Sequence, residues 1–207
     1  MATQALPLDM VHSTAQAAVM LDPLRLRMLE RLGEPESASG LARQFGLPRQ
    51  KVNYHLRELE KGGFVSLIEE RRKGNCIERL YRATAQHYVI DPAVLGRLGA
   101  DPEAVQDHFS STYLVAVAAK AIRDLGDLRG RAKKAGKRLA TFTLQTEVRF
   151  ASAAERAAFA EELSNAVMQL AARYHNEQAP GGRSFQFFLG GYPKITKKSD
   201  AEQEKNQ

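Results

Sequence analysis

Residues 46–65 read GLPRQKVNYHLRELEKGGFV, and the order of apolar and polar residues in and around this stretch leaves few folds open. Leu47, Val52, Leu56, Leu59 and Val65 mark one buried face, and Gly62 and Gly63 stop the helical pattern. A shorter helical stretch, GLARQF, comes just before. It has Leu41, Ala42 and Phe45 on one side, Ser39 in place to cap it and Gly46 to end it. The second helix is under way four residues later and runs from about residue 48 to residue 61. Upstream, LDPLRLRMLERLG opens with an N-cap at Asp22 and Pro23 at the first helical position, and Gly33 closes it. Downstream the pattern turns extended: FVSLIEE, a turn at RRKGN, then CIERLYRAT, which together read as a β-hairpin. The order is therefore helix, helix, turn, helix, hairpin.

The polar residues of the second helix form a set of their own. Arg49, Gln50, Lys51, Asn53, Tyr54 and Arg57 fill the gaps between apolar positions, all donors or amides and none acidic. Two short helices across a tight glycine-containing turn make a helix-turn-helix, and the hairpin after them makes it winged. That arrangement lays the second helix in the major groove of double-stranded DNA. Arg49 and Lys51 can then donate to guanine, Gln50 and Asn53 can bond adenine, and Tyr54 can reach a phosphate or a thymine methyl. Glu58 and Glu60, which phosphate would repel, come only where the helix leaves the groove. At the hairpin tip Arg71, Arg72, Lys73 and Asn75 can reach flanking backbone, where cations displace counterions. His55 either donates to a phosphate or is a hydrogen-bonded, partly buried histidine beside Val52 and Leu56.

Composition agrees with a polyanionic partner: 207 residues carry a net charge of +6 and a pI of about 9.5. The hydrophobic fraction of 43% supplies a real core. Cys76, the single cysteine, excludes an internal disulfide or a multi-cysteine zinc site and fits a reducing, cytoplasmic setting. As a half-buried strand cysteine it is more readily explained than as a redox sensor. The first residues, MATQALPLDMVHSTAQAAVML, lack a secretory pattern and have apolar residues spaced like a surface helix. No apolar run approaches the ~20 residues that span a bilayer, so no membrane association is expected. No nucleophile–base set, paired carboxylates or phosphate loop stands out; GGR at 181–183 and GGY at 190–192 are too short. The expectation is a protein that is not an enzyme, with no cofactor and no metal.

From Tyr88 the composition shifts, and two Asp-Pro steps place a domain boundary near Asp91. A long helix is predicted over 102–137, with Val105, Phe109, Leu114, Val117, Ala118, Ala121 and Leu125 available for packing. LATFTLQTEVRF alternates with period two and predicts a strand; Ser152 and Glu155 make a capping box for a helix carrying Phe159, Leu163, Val167 and Leu170; SFQFFLGGY predicts a last strand. The fold class is then α+β, mainly α: an N-terminal winged helix-turn-helix, a long helix and a small αβαβ C-terminal domain. Residues 1–90 form the DNA-binding domain, 91–196 a dimerisation and effector domain, and 197–207 a disordered tail. Asp101, Glu103, Asp107 and His108 could be metal ligands across a dimer, since Glu103 and Asp107 are one helical turn apart, but acidic residues at a helix start are expected from its dipole alone. The basic run Arg129, Arg131, Lys133, Lys134, Lys137 and Arg138 reads first as a solvated helix end. Phe187 and Phe188 are adjacent and face opposite ways on the last strand, so one of them needs a second cover, from a dimer partner or a ligand.

Residues 21–88, especially SASGLARQFGLPRQKVNYHLRELEKGGFV and the wing ending LYRAT, resemble the winged helix-turn-helix of ArsR-type bacterial transcriptional regulators. By that resemblance Ser39 caps the first helix beside a phosphate, the segment from Arg49 to Arg57 is the recognition helix, and Arg71 to Asn75 is the wing tip. It implies a homodimer reading a pseudo-palindromic operator, usually as a repressor, with an unidentified small-molecule effector as a further partner. One departure matters: metal-sensing members carry a cysteine pair in or near the helix-turn-helix, and those positions hold none here. Two alternatives remain, a winged-helix module that recruits protein or RNA, and a small-molecule sensor with weak DNA binding.

Overall fold

Strand β1, Leu6–Val11, pairs in parallel with β5, Ala85–Ile90, in the register Leu6↔Ala85 to Val11↔Ile90. The amino-terminal segment expected to be one surface helix is therefore half strand. Leu6, Leu8 and Met10 carry the alternation, and only α1, Thr14–Met20, is helical, capped by Ser13. The computed structural model describes residues 5–73 and 76–195; Asn75 and the tail expected to be disordered lie outside the described residues. No helix among the described residues is long and apolar enough to cross a membrane.

Helix α2, Pro23–Arg31, begins as its sequence prescribes. Asp22 accepts from the amides of Leu24 at 2.9 Å and Arg25 at 3.0 Å, and Pro23 takes the first position. The Arg25 amide is the first cause holding the Asp22 carboxyl below its ordinary range. Helix α3, Ala38–Phe45, ends on Gly46, whose φ of 63° lies in the left-handed region. Helix α4, Arg49–Lys61, follows after three residues. Met28, Leu32, Leu41, Val52, Leu56 and Leu59 are the wholly buried centre where α2, α3 and α4 meet. Truncating Met28 or any of these leucines to alanine costs about 2–5 kcal/mol.

The hairpin is longer than its turn residues suggested. Strand β3, Val65–Lys73, and β4, Cys76–Ala83, pair as far as Lys73↔Cys76, so Arg71, Arg72 and Lys73 belong to a strand, not a turn. A register shift between Leu67 and Glu69 bends the ladder. A two-residue strand β2, Glu36–Ser37, joins the other edge of β4.

The chain divides into two compact units, Met1–Leu139 and Ala140–Gln207, so the boundary expected near Asp91 falls inside the first. Asp91 is buried there: its amide donates to Val11 O, its carboxylate meets His12 Nδ1 at 3.1 Å, and it caps the 3-10 segment Pro92–Leu98. The long helix also starts later than predicted. Pro102–Ala104 is a single 3-10 turn, and Asp107 takes the Phe109 amide on its side chain, which turns the backbone away from helix. Ser110 then caps α5, Ser111–Lys134. Glu103 and Asp107 consequently do not share a helical turn, which removes the geometry their reading as metal ligands required. Helix α5 packs on β1 through Gly126, where an added Cβ would meet the Met10 side chain at 2.7 Å.

The second unit contains α6, Ala153–Tyr174, capped by Ser152 with Glu155 reaching back to the Ala151 amide. The two strands expected around it are not formed among the described residues: residues 139–150 and 184–192 join no ladder. A strand exists only by virtue of a paired neighbour, and a single copy supplies none here. The class nonetheless holds as α+β, mainly α, with every paired strand among the described residues in the first unit.

Candidate nucleic-acid interface

Helix α4 is amphipathic in the sense its sequence requires. Val52, Leu56 and Leu59 point into the core, while Arg49, Gln50, Lys51 and Arg57 are exposed, Tyr54 is 58% exposed and Asn53 is half-buried. Six of the seven helix residues read as contacts thus share an outward surface with no carboxylate among them. His55 is the exception. It is only 9% exposed, stacks edge-on against Tyr54 at 5.2 Å and turns its Nδ1 inward, 4.0 Å from Asp22 Oδ1, without a hydrogen bond among the described residues. His55 is buried, as the second of its two readings expects, but its Nδ1 lacks, among the described residues, the hydrogen bond that reading includes. Burial is the first cause lowering its pKa, against the opposing pull of Asp22.

The start of α3 borders the same surface, with one correction. The cap is Ser37, not Ser39: Ser37 Oγ accepts from the Gly40 amide at 3.1 Å and donates to Glu78 Oε1 at 2.8 Å. Ser39 sits in the first turn, half-exposed, facing a shallow cleft of about 150 Å³ that Arg49, Asn53, Arg57, Glu78 and Arg79 also line. Three guanidinium groups against one carboxylate, itself occupied by Ser37, make this cleft suited to an anion. Arg79 was not singled out by sequence reasoning. Its signal was the alternation of CIERLYRAT, which sends Arg79 and Ile77 to one side of β4 and Leu80 to the other.

On the hairpin, Arg71 is held by Glu69 through two bonds of 2.8 and 2.9 Å, and Arg79 reaches across the ladder to Glu70 at 2.8 Å. Both pairs are exposed and screened by solvent, so a phosphate can displace them. Arg72 is exposed, Lys73 closes β3, and Asn75 lies outside the described residues.

A family model described as a helix-turn-helix domain matches residues 20–68, the span from α2 to β3. Residues 20–68 form a helix-turn-helix domain. No curated protein matches the chain. Among solved structures, the homodimeric winged helix-turn-helix DNA-binding domain of a possible ArsR-family transcriptional regulator from Mycobacterium bovis is 23% identical. That match has a TM-score of 0.29 and covers 35% of this chain and 63% of that one. NolR from Sinorhizobium fredii is 26% identical, with 42% and 76% covered and a TM-score of 0.29. An ArsR-like transcriptional regulator from a Rhodococcus species is 26% identical, with 58% and 89% covered and a TM-score of 0.30. The chain thus spans just under two thirds of the first of these, and TM-scores this low carry no argument about the rest of it. What the first turns of α4 present outward is set by their own residues, and Arg49, Gln50, Lys51, Asn53 and Arg57 there are cationic or amide-bearing.

Proposed function

We propose that this protein is a cytoplasmic, homodimeric regulator of transcription, a repressor by the usual outcome of such proteins, that binds a pseudo-palindromic site in double-stranded DNA. The observation that carries the reading is the outward face of α4, where Arg49, Gln50, Lys51, Asn53, Tyr54 and Arg57 lie together beside the cleft bearing Arg79. Gln50, Lys51, Asn53 and Tyr54 read base edges; Ser39, Arg71, Arg72 and Lys73 hold phosphates and set register. DNA contacts fall within residues 1–90, and α5 serves dimerisation through its exposed stripe of Val115, Ile122, Leu125 and Leu128. A twofold axis then places two recognition helices on successive turns of the duplex. An effector acts by binding one dimer geometry better than the other.

Selection from the sheared genome of the host at moderate salt tests this directly. Recovery of a shared inverted repeat is the expected result. Uniform, salt-sensitive recovery would sink specific recognition and leave backbone binding alone. No particular observation favours catalysis.

A further inference from the structure

The second unit is capped, punctuated and alternating like a folded domain, yet among the described residues from 140 to 195 not one side chain is buried. Only Phe150, Val167 and Ala179 reach half-burial. Seven aromatic side chains, from Phe159 at 40% to Tyr192 at 79%, stand open. With about 150–250 Å² per aromatic side chain, they alone offer on the order of 700–1,100 Å². That sum is comparable with the ~800 Å² each partner gives to a stable interface.

The two segments expected as strands are placed side by side. Phe142 meets Phe187 with ring centroids 5.8 Å apart, and Lys194 Nζ bonds Glu147 at 3.0 and 3.1 Å. The pairs are offset similarly along the chain, so the segments run in the same direction. At the ~4.8 Å spacing of neighbouring strands their backbones would ladder, and they do not. Long side chains bridge them while the backbones stand apart. What fits between two strands of one direction is a strand of the other, since antiparallel pairs are the more stable.

We infer that the second unit is completed by a second copy of this chain: residues 184–192 of each copy enter between residues 141–150 and 184–192 of the other, giving one four-stranded antiparallel sheet. A twofold axis across the strands supplies the reversed direction automatically. Each copy's last segment becomes a central strand and its 141–150 segment an edge. The composition sorts the same way. Phe185, Phe187 and Leu189 face one side and Phe188 the other, as a central strand requires, whereas Thr141, Thr143, Gln145, Glu147 and Arg149 put polar and charged groups on one side of the edge. The stripe Phe159, Leu163, Val167 and Leu170 on α6 then covers the apolar face of the sheet. This rests on the homodimer of the proposed function but not on DNA binding.

Amide hydrogen exchange on the full chain, with sedimentation in parallel, tests it. In the dimer the amides of 142–149 and 185–191 should exchange at least 100-fold more slowly than unstructured chain, and dilution to the monomer should abolish that protection. Phe188→Asp should abolish it in both segments while residues 20–68 keep theirs, which separates a lost sheet from a misfolded chain. A dimer whose segments exchange freely would overturn the shared sheet and leave the homodimer standing. Protection that persists in the monomer would mean the unit closes by itself, and a chain monomeric at every concentration would overturn both readings.

Discussion

Ser37 is tied both to the first turn of its helix and to the wing strand, through Gly40 and Glu78, and its neighbour two positions on is tied to neither. Ser37→Ala should therefore cost about 1–2 kcal/mol in urea unfolding, the usual worth of a helix cap. Ser39→Ala should change stability by less than ~0.5 kcal/mol and act, if Ser39 touches phosphate, on DNA affinity alone. His55 sets a pH dependence whose sign follows from its lowered pKa. The unfolded chain takes up a proton near pH 6.5, where the folded protein still resists it, so stability is full above that pH and declines as pH falls toward the folded pKa. Asp22 and Glu58 pull against this effect, Arg25 and Lys51 with it. Urea midpoints at pH 7.5 and 5.5 should diverge less in His55→Gln than in the parent; equal divergence would assign the loss to other groups. At this scale the sequence showed which side chains of α4 face out, because helical spacing alone decides that. It put the cap at Ser39 instead of Ser37, since the two serines have equal chemistry and only the short pairing of β2 with β4 fixes where the helix begins.

Helices α2, α3 and α4 were legible nearly to the residue because local punctuation ends them: Asp22-Pro23, Gly46, and the Gly62-Gly63 pair. Gly46 carries the firmest element-level prediction. At φ 63° a Cβ is strained whatever the space around it, so Gly46→Ala should lower stability by about 1–2 kcal/mol and blur the angle between α3 and α4. The hairpin carries another. Changing Arg71, Arg72 and Lys73 together to alanine should weaken binding to every duplex alike and make the salt slope shallower, by up to about 0.9 for each phosphate no longer neutralised. Asn53→Ala should instead relax preference at one base position, read by affinity across a panel of single-base variants. An unchanged salt slope in the triple variant would remove the wing from the interface. Among the elements that were missed, two show different physical reasons. The turn before α5 depends on Asp107 bonding its own backbone, a choice that periodicity does not register. Strand β1 depends on a partner that the local sequence does not contain.

For the molecule as a whole, alternation predicts strands at 141–150 and 184–192 that one copy leaves unpaired, because periodicity reports which residues suit a sheet face and not whether a neighbouring strand is there to pair. The first unit has its own long-range condition, the pairing of Leu6 with Ala85 and of His12 with Asp91, 79 residues apart. Contacts this distant close late, because the intervening chain loses more freedom than any early contact returns. At roughly 5–20 residues per second, the ribosome needs on the order of 4–16 s after Leu6 before Ala85 exists to receive it. Strand β1, made before its partner, is thus among the last elements to take its place, and until then the newborn protein has helix α4 before it has the strand on which α5 will rest.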